Sequence, residues 1–590
     1  MALAVERGVV LAAAAFALFA WLAPATIVGG DNAELSTLAV TGGAAHPSGY
    51  PLYVLWLRAF SWLPGSAAHA AALATALVAA ATILILHAAA RAWGARPLAA
   101  TGAALLFASG PVVLRLSSQA EVFALNNLAV AAVLWLAAKD GPGRGAVRVG
   151  LLGLVAGLGM SDHLTCTLIA PVGLLGIVRG VRESALPKLG CGLLGAAGLA
   201  LGLTSYLYLL VAPASAASWG QASSLGDVLG FITRRDYGGI GSFSPEHGEV
   251  DMLANLGALA ATLGRGLLWL PALLGVGALA VLAVRPADAS PGASPVEPRA
   301  GWRALAVSWF LAGPFLIARF NIAPVMIGRF ICERFHVLPL LLLVVPLALS
   351  LDRGGAWLAR HLSWRPLGAG LHATIALVGL VGAAAPSLGA VQATASPAVE
   401  ASARNTLRPL PPGAVILVGA DDLHFGVLYA QETLGERRDV TVVAVQMVWL
   451  PWYRDRLAAR GIVVTPTGSP AELGLLLARQ LLAQRHPLFV DLLQEQVRAQ
   501  LPTYPLGTLF RVVPTGAPLP PLDEVLAENR AALASFDFAY PVPGPDDGYP
   551  TGVQGRYVAA WSILAHQLAR AGRGEDAQQA AAVVDALSPR

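Results

Sequence analysis

Residues 30–51 read GDNAELSTLAVTGGAAHPSGYP. Two carboxylates, Asp31 and Glu34, and one histidine, His46, stand in a segment broken by Gly and Pro, directly after the apolar run Val9–Ile27. The surrounding composition decides what that run is. Of 590 residues, 56% are hydrophobic and 13% charged, and the mean hydropathy is +0.64. A soluble domain carries about a quarter charged residues, whereas a bilayer demands repeated apolar runs of about 20 residues. The chain therefore reads as a polytopic helical membrane protein. Val9–Ile27 is too long for a signal-peptide core and has no small-residue cleavage site before Asp31, so it reads as a retained span. Cys166, Cys191 and Cys332 lie in or beside apolar runs with no metal or disulfide spacing, and read as packing residues. The net charge of +4 comes from loop Arg and Lys and points to no nucleic-acid partner.

About 11 spans are expected, near 8–28, 67–90, 98–113, 121–138, 148–160, 163–179, 189–211, 266–284, 304–320, 335–351 and 367–385. Arg7 precedes the first span. Alternate loops carry Arg91/Arg96, Lys139/Arg144/Arg148, Arg182/Lys188, Arg285/Arg299/Arg303 and Arg353/Arg360/Arg365. The positive-inside rule makes these loops and the N-terminus cytoplasmic. The pair 148–160 and 163–179 is short, and its turn GMSDH is expected to line a cavity below the membrane surface. The domain reading is a membrane domain over 1–390, a soluble non-cytoplasmic α/β domain over 397–545 and a helical hairpin over 551–590. Strand-like runs in LPPGAVILVGADD, DVTVVAVQMVWL and PLFVDLL alternate with the amphipathic AELGLLLARQLLAQR. The hairpin is similar to one tetratricopeptide unit, and a single copy makes no array.

On this topology Asp31, Glu34, His46, Arg115, Gln119, Glu121, Asp162, His163, Arg234, Arg235, Asp236, Arg329, Glu333 and Arg334 all fall on the non-cytoplasmic side. Ionisable groups at span ends are costly and usually have functional partners, so their convergence points to a site. Structural readings stand beside this one. Asp31 fits the N-cap of AELSTLAV, and Glu34 three residues later fits a capping box. His46 fits an ordinary loop residue, although HPSGYP is rigid enough to aim it. Asp162–His163 fits a cap followed by an interfacial histidine, and Arg234–Arg235 fits contact with lipid headgroups as well as with a bound phosphate.

These residues carry a resemblance. Asp31-x-x-Glu34 followed by AHPSGYPLY resembles the D-x-G-E…AHPPGYPLY signature of the transmembrane protein O-mannosyltransferase-like family, the group named after transmembrane protein 260. SQAEVFALNNL at 118–128 and GLGMSDHLT at 157–165 resemble its second and third signatures. FITRRDYGG at 231–239, ERFHVLP at 333–339 and DVTVVAVQMVWLPWY at 439–453 follow in the expected order. Asn32-Ala33 replaces a small Ser-Gly pair and Ser48 replaces a proline; neither change removes an ionisable group. The resemblance spans roughly residues 1 to 460. It implies a GT-C fold, a multi-spanning glycosyltransferase with an acidic first external loop and a polyprenyl-phosphate-linked sugar donor. The animal members transfer mannose to protein hydroxyls.

Transfer from such a donor with inversion needs a general base opposite the leaving phosphate and cationic stabilisation of that phosphate. Asp31 is the expected base, with Glu34 and His46 beside it in the catalytic set. Gln119, Glu121, Asp162, His163, Arg234, Arg235, Arg329 and Arg334 are the candidates for donor sugar and phosphate. No metal site is assigned, although Asp31, His46 and Asp162 are the residues that could hold a divalent ion. The expected protein is an enzyme of the bacterial inner membrane with its C-terminal domain in the periplasm. The alternatives are transfer to a lipid-linked or surface glycan, or a lipid or solute transporter. The latter is disfavoured by the lack of an internal duplication.

Overall fold

The computed structural model describes residues 2–239, 250–285, 297–361, 385–469 and 472–590. Helices α1 (Ala2–Leu22) and α2 (Asn32–Thr41) flank the opening segment, followed by α3 (Pro51–Phe60) and α4 (Ala67–Ala92). Next come α5 (Pro97–Ala108), α6 (Pro111–Ser117), α7 (Phe123–Ala137), α8 (Gly145–Asp162), α9 (Ala170–Glu183) and α10 (Lys188–Leu203). A short α11 (Leu225–Ile232) precedes α12 (Met252–Leu267), α13 (Trp269–Val284), α14 (Arg299–Phe310) and the long α15 (Met326–His361). Among the described residues five helices are long and apolar enough to cross a membrane, or up to seven if each bent pair counts as one span. This is an integral membrane protein. The expected 98–113 span is broken into α5 and α6 at 73°, and α12 meets α13 at 109°. The expected span 367–385 lies, but for its last residue, outside the described residues.

Local chemistry fixes these pieces. Ser66 caps α4 by accepting the His69 N–H at 3.0 Å, and the alanine-rich body of α4 packs on α1 and α7. Helices α8 and α10 meet through glycines. A Cβ on Gly153 would stand 2.1 Å from the Gly195 carbonyl oxygen, and one on Gly157 would stand 2.3 Å from that of Leu199. Close backbone approach through small residues is how helices associate where lipid supplies no hydrophobic drive.

The soluble part contains one five-stranded sheet: β1 (Val415–Val418), β2 (Thr441–Ala444), β3 (Leu488–Val490), β4 (Thr503–Leu506) and β5 (Leu509–Val512). Its order is β2-β1-β3-β5-β4; β1 pairs in parallel with β2 and β3, while β5 is antiparallel to β3 and β4. The strands are almost wholly buried, as their continuous apolar runs require. The hairpin Tyr549–Arg570 and Gly574–Leu587 turns at Gly572, whose φ is +74°. Its Trp561, Leu564 and Leu568 share an apolar core with Tyr504 and Val513 of the sheet region.

The soluble part rests directly on the membrane part. Ile27, Ala33, Ala44, Ala68 and Trp219 join one core with the sheet residues, and helix Asp421–Glu432 packs on α2. The Ile27 N–H donates to Glu400 at 3.1 Å. The tightest point is Tyr549 against Gly29, where a Cβ would fall 1.8 Å from the ring's Cγ. Gly29→Ala therefore has to displace the base of the hairpin. Overpacking costs typically 1–3 kcal/mol. Limited proteolysis is expected to cut the hairpin free faster in the variant, and parental resistance would show the contact to be dispensable.

Candidate functional site

The segment between α1 and α3 folds back as the short, fully packed α2. Asp31 occupies the N-cap position, yet its side chain makes no capping bond. It is turned instead to Arg334 of α15, with which it forms an ion pair. The capping-box reading of Glu34 also fails. Glu34 Oε2 lies 2.6 Å from His46 Nδ1, and its Oε1 accepts the His46 backbone N–H at 2.8 Å. A buried carboxylate has to find donors, and the rigid HPSGYP turn supplies both from one residue. His46 Nε2 then meets the Tyr50 hydroxyl at 3.2 Å. Glu34 is thus a residue that orients His46, with its carboxylate used up in doing so.

The charges are coupled. Burial pushes the Asp31 carboxyl upward, but Arg334 and His46 outweigh it and hold Asp31 below the usual carboxylate range. Burial likewise opposes a charge on His46, and the carboxylates of Glu34 and Asp31 overcome it, raising the imidazole to about 9. A raised pKa stabilises the folded state fully below the ordinary value of 6.5, and that contribution is lost as pH rises through about 9. Thermal melts of the parent should therefore decline between these two values. His46→Gln should lose that part of the slope, and an unchanged slope would remove the ion pair from the account.

The other expected residues divide into three groups. Arg334 also stands 3.8 Å from Glu121, and it lines, with Gly30, Arg115, Gln119, Glu121 and Tyr549, a cavity of ≈ 30 Å³ beside Asp31. Glu121 Oε1 and Arg334 Nε are buried there without a hydrogen-bond partner among the described residues. Such atoms need an explanation, and a ligand is one. A second cavity, of ≈ 240 Å³, shares Arg115, Phe330, Thr394 and Asp547 with the first. Its lining gathers Arg115, Arg265 and Arg329 around the single carboxylate of Glu333, at 3.0, 3.6 and 3.9 Å. Asp546 and Asp547 also line this cavity, so the three guanidiniums cluster on Glu333 within a wall of mixed charge.

Arg234, His163 and Tyr50 lie on the opposite flank of Asp31. Arg234, at φ +56°, places its guanidinium 5.2 Å from the centre of the Tyr237 ring. His163 stacks parallel on Tyr50 at 5.7 Å, its Nδ1 2.8 Å from the Thr165 hydroxyl. Two expected residues do not face the centre. Arg235 is exposed and pairs with Asp227 at 3.7 Å, and Asp162 is fully buried and lines neither cavity.

Arg265, Tyr237, Tyr549 and Asp421 were not legible as site residues. Asp421, at the start of helix Asp421–Glu432, is raised to about 6 by desolvation from the surrounding protein and by the charge of Asp31, although its surface stays exposed. Only the acidic character of GADD, on a predicted loop after a strand, hinted at it.

Comparison with known proteins bears on this arrangement. Residues 31–185 match the family model of the protein O-mannosyl-transferase TMEM260 N-terminal domain. Among solved structures, ArnT from Cupriavidus metallidurans in the apo state is similar at 12% identity and a TM-score of 0.49, covering 87% of this chain and 99% of that one. The same protein bound to undecaprenyl phosphate gives 14% and 0.49 with the same coverage. Arabinofuranosyltransferase AftD from Mycobacteria gives 15% and 0.42, covering 82% of this chain and 36% of that one. The matched region begins at Asp31 and holds Glu34, His46, Gln119, Glu121, Asp162 and His163. Residues 31–185 of this chain are thus similar to the TMEM260 protein O-mannosyl-transferase N-terminal domain, the family that its motifs resemble.

Proposed function

We propose that this chain is a GT-C-type inverting glycosyltransferase that moves a sugar, mannose in the first instance, from a polyprenyl phosphate to a protein hydroxyl on the non-cytoplasmic face of a bacterial inner membrane. The observation that carries the reading is the Asp31 side chain: free of any capping duty, it is held ionised by Arg334, which lines the inner of two joined cavities.

The roles follow from charge. Arg115, Arg265 and Arg329 receive the donor phosphate, where arginine's fork matches phosphate oxygens. Phosphate thereby competes with Glu333 for these guanidiniums. Gln119 and Glu121 face the inner cavity and bind sugar hydroxyls. That cavity has room for little more than water, so the sugar enters as Tyr549 withdraws. Asp31 takes the proton of the acceptor hydroxyl as the acceptor oxygen bonds to the anomeric carbon. The bond from that carbon to the phosphate oxygen breaks, and the polyprenyl phosphate leaves with the electron pair. Arg334 fixes the orientation of Asp31 and keeps it ionised by charge alone.

Polyprenyl-phosphate [³H]mannose offered to the purified protein with a Ser/Thr-rich peptide tests this. Label in the peptide is the expected result. Label only in a lipid-linked or surface glycan moves the acceptor, and transport of lipid without any cleavage of the donor overturns the enzyme.

A further inference from the structure

The stretch leading into the C-terminal hairpin, residues 543–550, reads PGPDDGYP. It folds as a tight strap. The Thr551 hydroxyl donates to the Gly544 carbonyl at 2.6 Å and accepts the Asp547 N–H at 3.1 Å. Asp547 Oδ2 accepts the Gly544 N–H at 2.5 Å. Gly548 has φ +76°, and a Cβ there would stand 2.5 Å from the Phe330 ring, so the strap backbone lies directly on that ring. Phe330 also holds the guanidiniums of Arg115 and Arg329, 4.5 and 4.9 Å from its centre. Arg329 donates in addition to the Asp546 carbonyl at 3.2 Å. The strap is therefore pinned to the arginine cluster through a glycine, a ring and a backbone carbonyl. None of these contacts uses the Asp547 carboxylate.

That carboxylate lies at the joint of the two cavities. Arg115, Phe330, Thr394 and Asp547 are the residues that line both, and Asp547 is the one anion of the four. One of its oxygens is taken by Gly544; the other, Oδ1, makes no hydrogen bond among the described residues. Farther in, the wall of the inner cavity holds Glu121 Oε1 and Arg334 Nε, buried and likewise unpartnered among the described residues. Buried polar atoms left without partners mark a place for a polar ligand.

A donor with its phosphate among Arg115, Arg265 and Arg329 and its sugar in the inner cavity puts the bond between them at this joint. The sugar groups next to the anomeric carbon are the ring oxygen and the substituent at C2. An ionised carboxylate can only accept hydrogen bonds, and the ring oxygen carries no proton, so Asp547 requires a donor at C2. We infer, resting on the transfer reading above, that Asp547 is a ligand of the donor sugar that accepts its 2-hydroxyl, and that the enzyme thereby selects sugars bearing that hydroxyl. A bond to the 2-hydroxyl strengthens as positive charge develops on the sugar ring, so Asp547 favours the transition state over the bound donor. Asp547 itself undergoes no net change. On this assignment the C-terminal hairpin supplies part of the donor site.

The test uses the full-length protein with two donors, polyprenyl-phosphate mannose and its 2-deoxy analogue. Release of polyprenyl phosphate is followed with and without a Ser/Thr peptide, so the result does not depend on the acceptor. In Asp547→Asn the amide oxygen can still accept from Gly544, which turns the amide N–H₂ to the sugar in place of the free oxygen. That variant is expected to lower kcat/KM for the mannose donor about tenfold to a hundredfold, the scale of a lost charge-assisted hydrogen bond. For the 2-deoxy donor it should change kcat/KM by less than about threefold, because the partner is already missing. Thr551→Val loosens the strap and leaves the carboxylate, so it should affect both donors equally. Equal losses on both donors in Asp547→Asn, parental mannose kinetics in that variant, or a mannose-selective loss in Thr551→Val overturns the inference while the transferase reading stands. A parent that cleaves neither donor, with or without peptide, removes the transferase reading and this inference with it.

Discussion

Asp31→Asn is expected to bind the donor and fail to transfer it. General-base assistance is worth typically 10²–10⁴-fold, and Asn cannot take a proton. The variant is informative because the side chain caps nothing: Asn neither gains nor forfeits a bond to the α2 backbone. What changes is the charge facing Arg334. A residue that served the fold alone would give near-parental turnover with a lowered melting temperature, and that pair of results would falsify the assignment. Single-turnover assays with melts alongside separate the two, and they leave Glu121 as the next carboxylate on the cavity wall.

Arg334→Met is expected to cost a comparable amount, by a different route. Truncating one partner of a largely buried ion pair is typically destabilising by about 3–5 kcal/mol, because the other charge is left uncompensated. The two side chains here are 16% and 24% exposed, which places the cost at the lower end of that range. The remaining signature is in the pH profile. With the guanidinium gone, burial is the dominant influence on Asp31 and raises its pKa. The base must be ionised to act, so the acid limb of kcat/KM should move to higher pH. Were Arg334 a phosphate ligand with no influence on Asp31, the donor KM would rise and the acid limb would stay where it is in the parent.

The sequence was readable where physics is local. Apolar runs of bilayer length marked the membrane part, and strand and helix periods marked the α/β part. The motifs around Asp31, Gln119–Glu121 and Asp162–His163 marked three separate stretches of the candidate site, at the start of α2, between α6 and α7 and at the end of α8. What was lost lay in the third dimension. The bends at α5–α6 and α12–α13 follow from Gly110 and from Leu268 at φ +63°, which no hydropathy window registers. The cap readings of Asp31 and Glu34 obeyed a sound local rule and were overridden by partners 303 and 12 residues away. Arg235 belonged to the motif, yet its side chain turned outward to Asp227. Tyr549 reaches the inner cavity from a hairpin whose docking nothing local announces.

The contact between Tyr549 and Gly29 also sets a schedule. The two residues are separated by about five hundred positions of synthesis, and chains lengthen at about 5–20 residues per second. For about ten to forty seconds after Arg334, which lies 215 positions before Tyr549, leaves the ribosome, every group of the proposed donor cavity contributed by the membrane helices can be in place while the wall formed by the hairpin does not yet exist. A nascent chain of this kind is a vessel open on one side. It becomes a catalyst only when the last-made segment closes over the first-made one, so a ribosome that stalls short of Tyr549 releases a product that cannot exclude water from the donor it was built to hold.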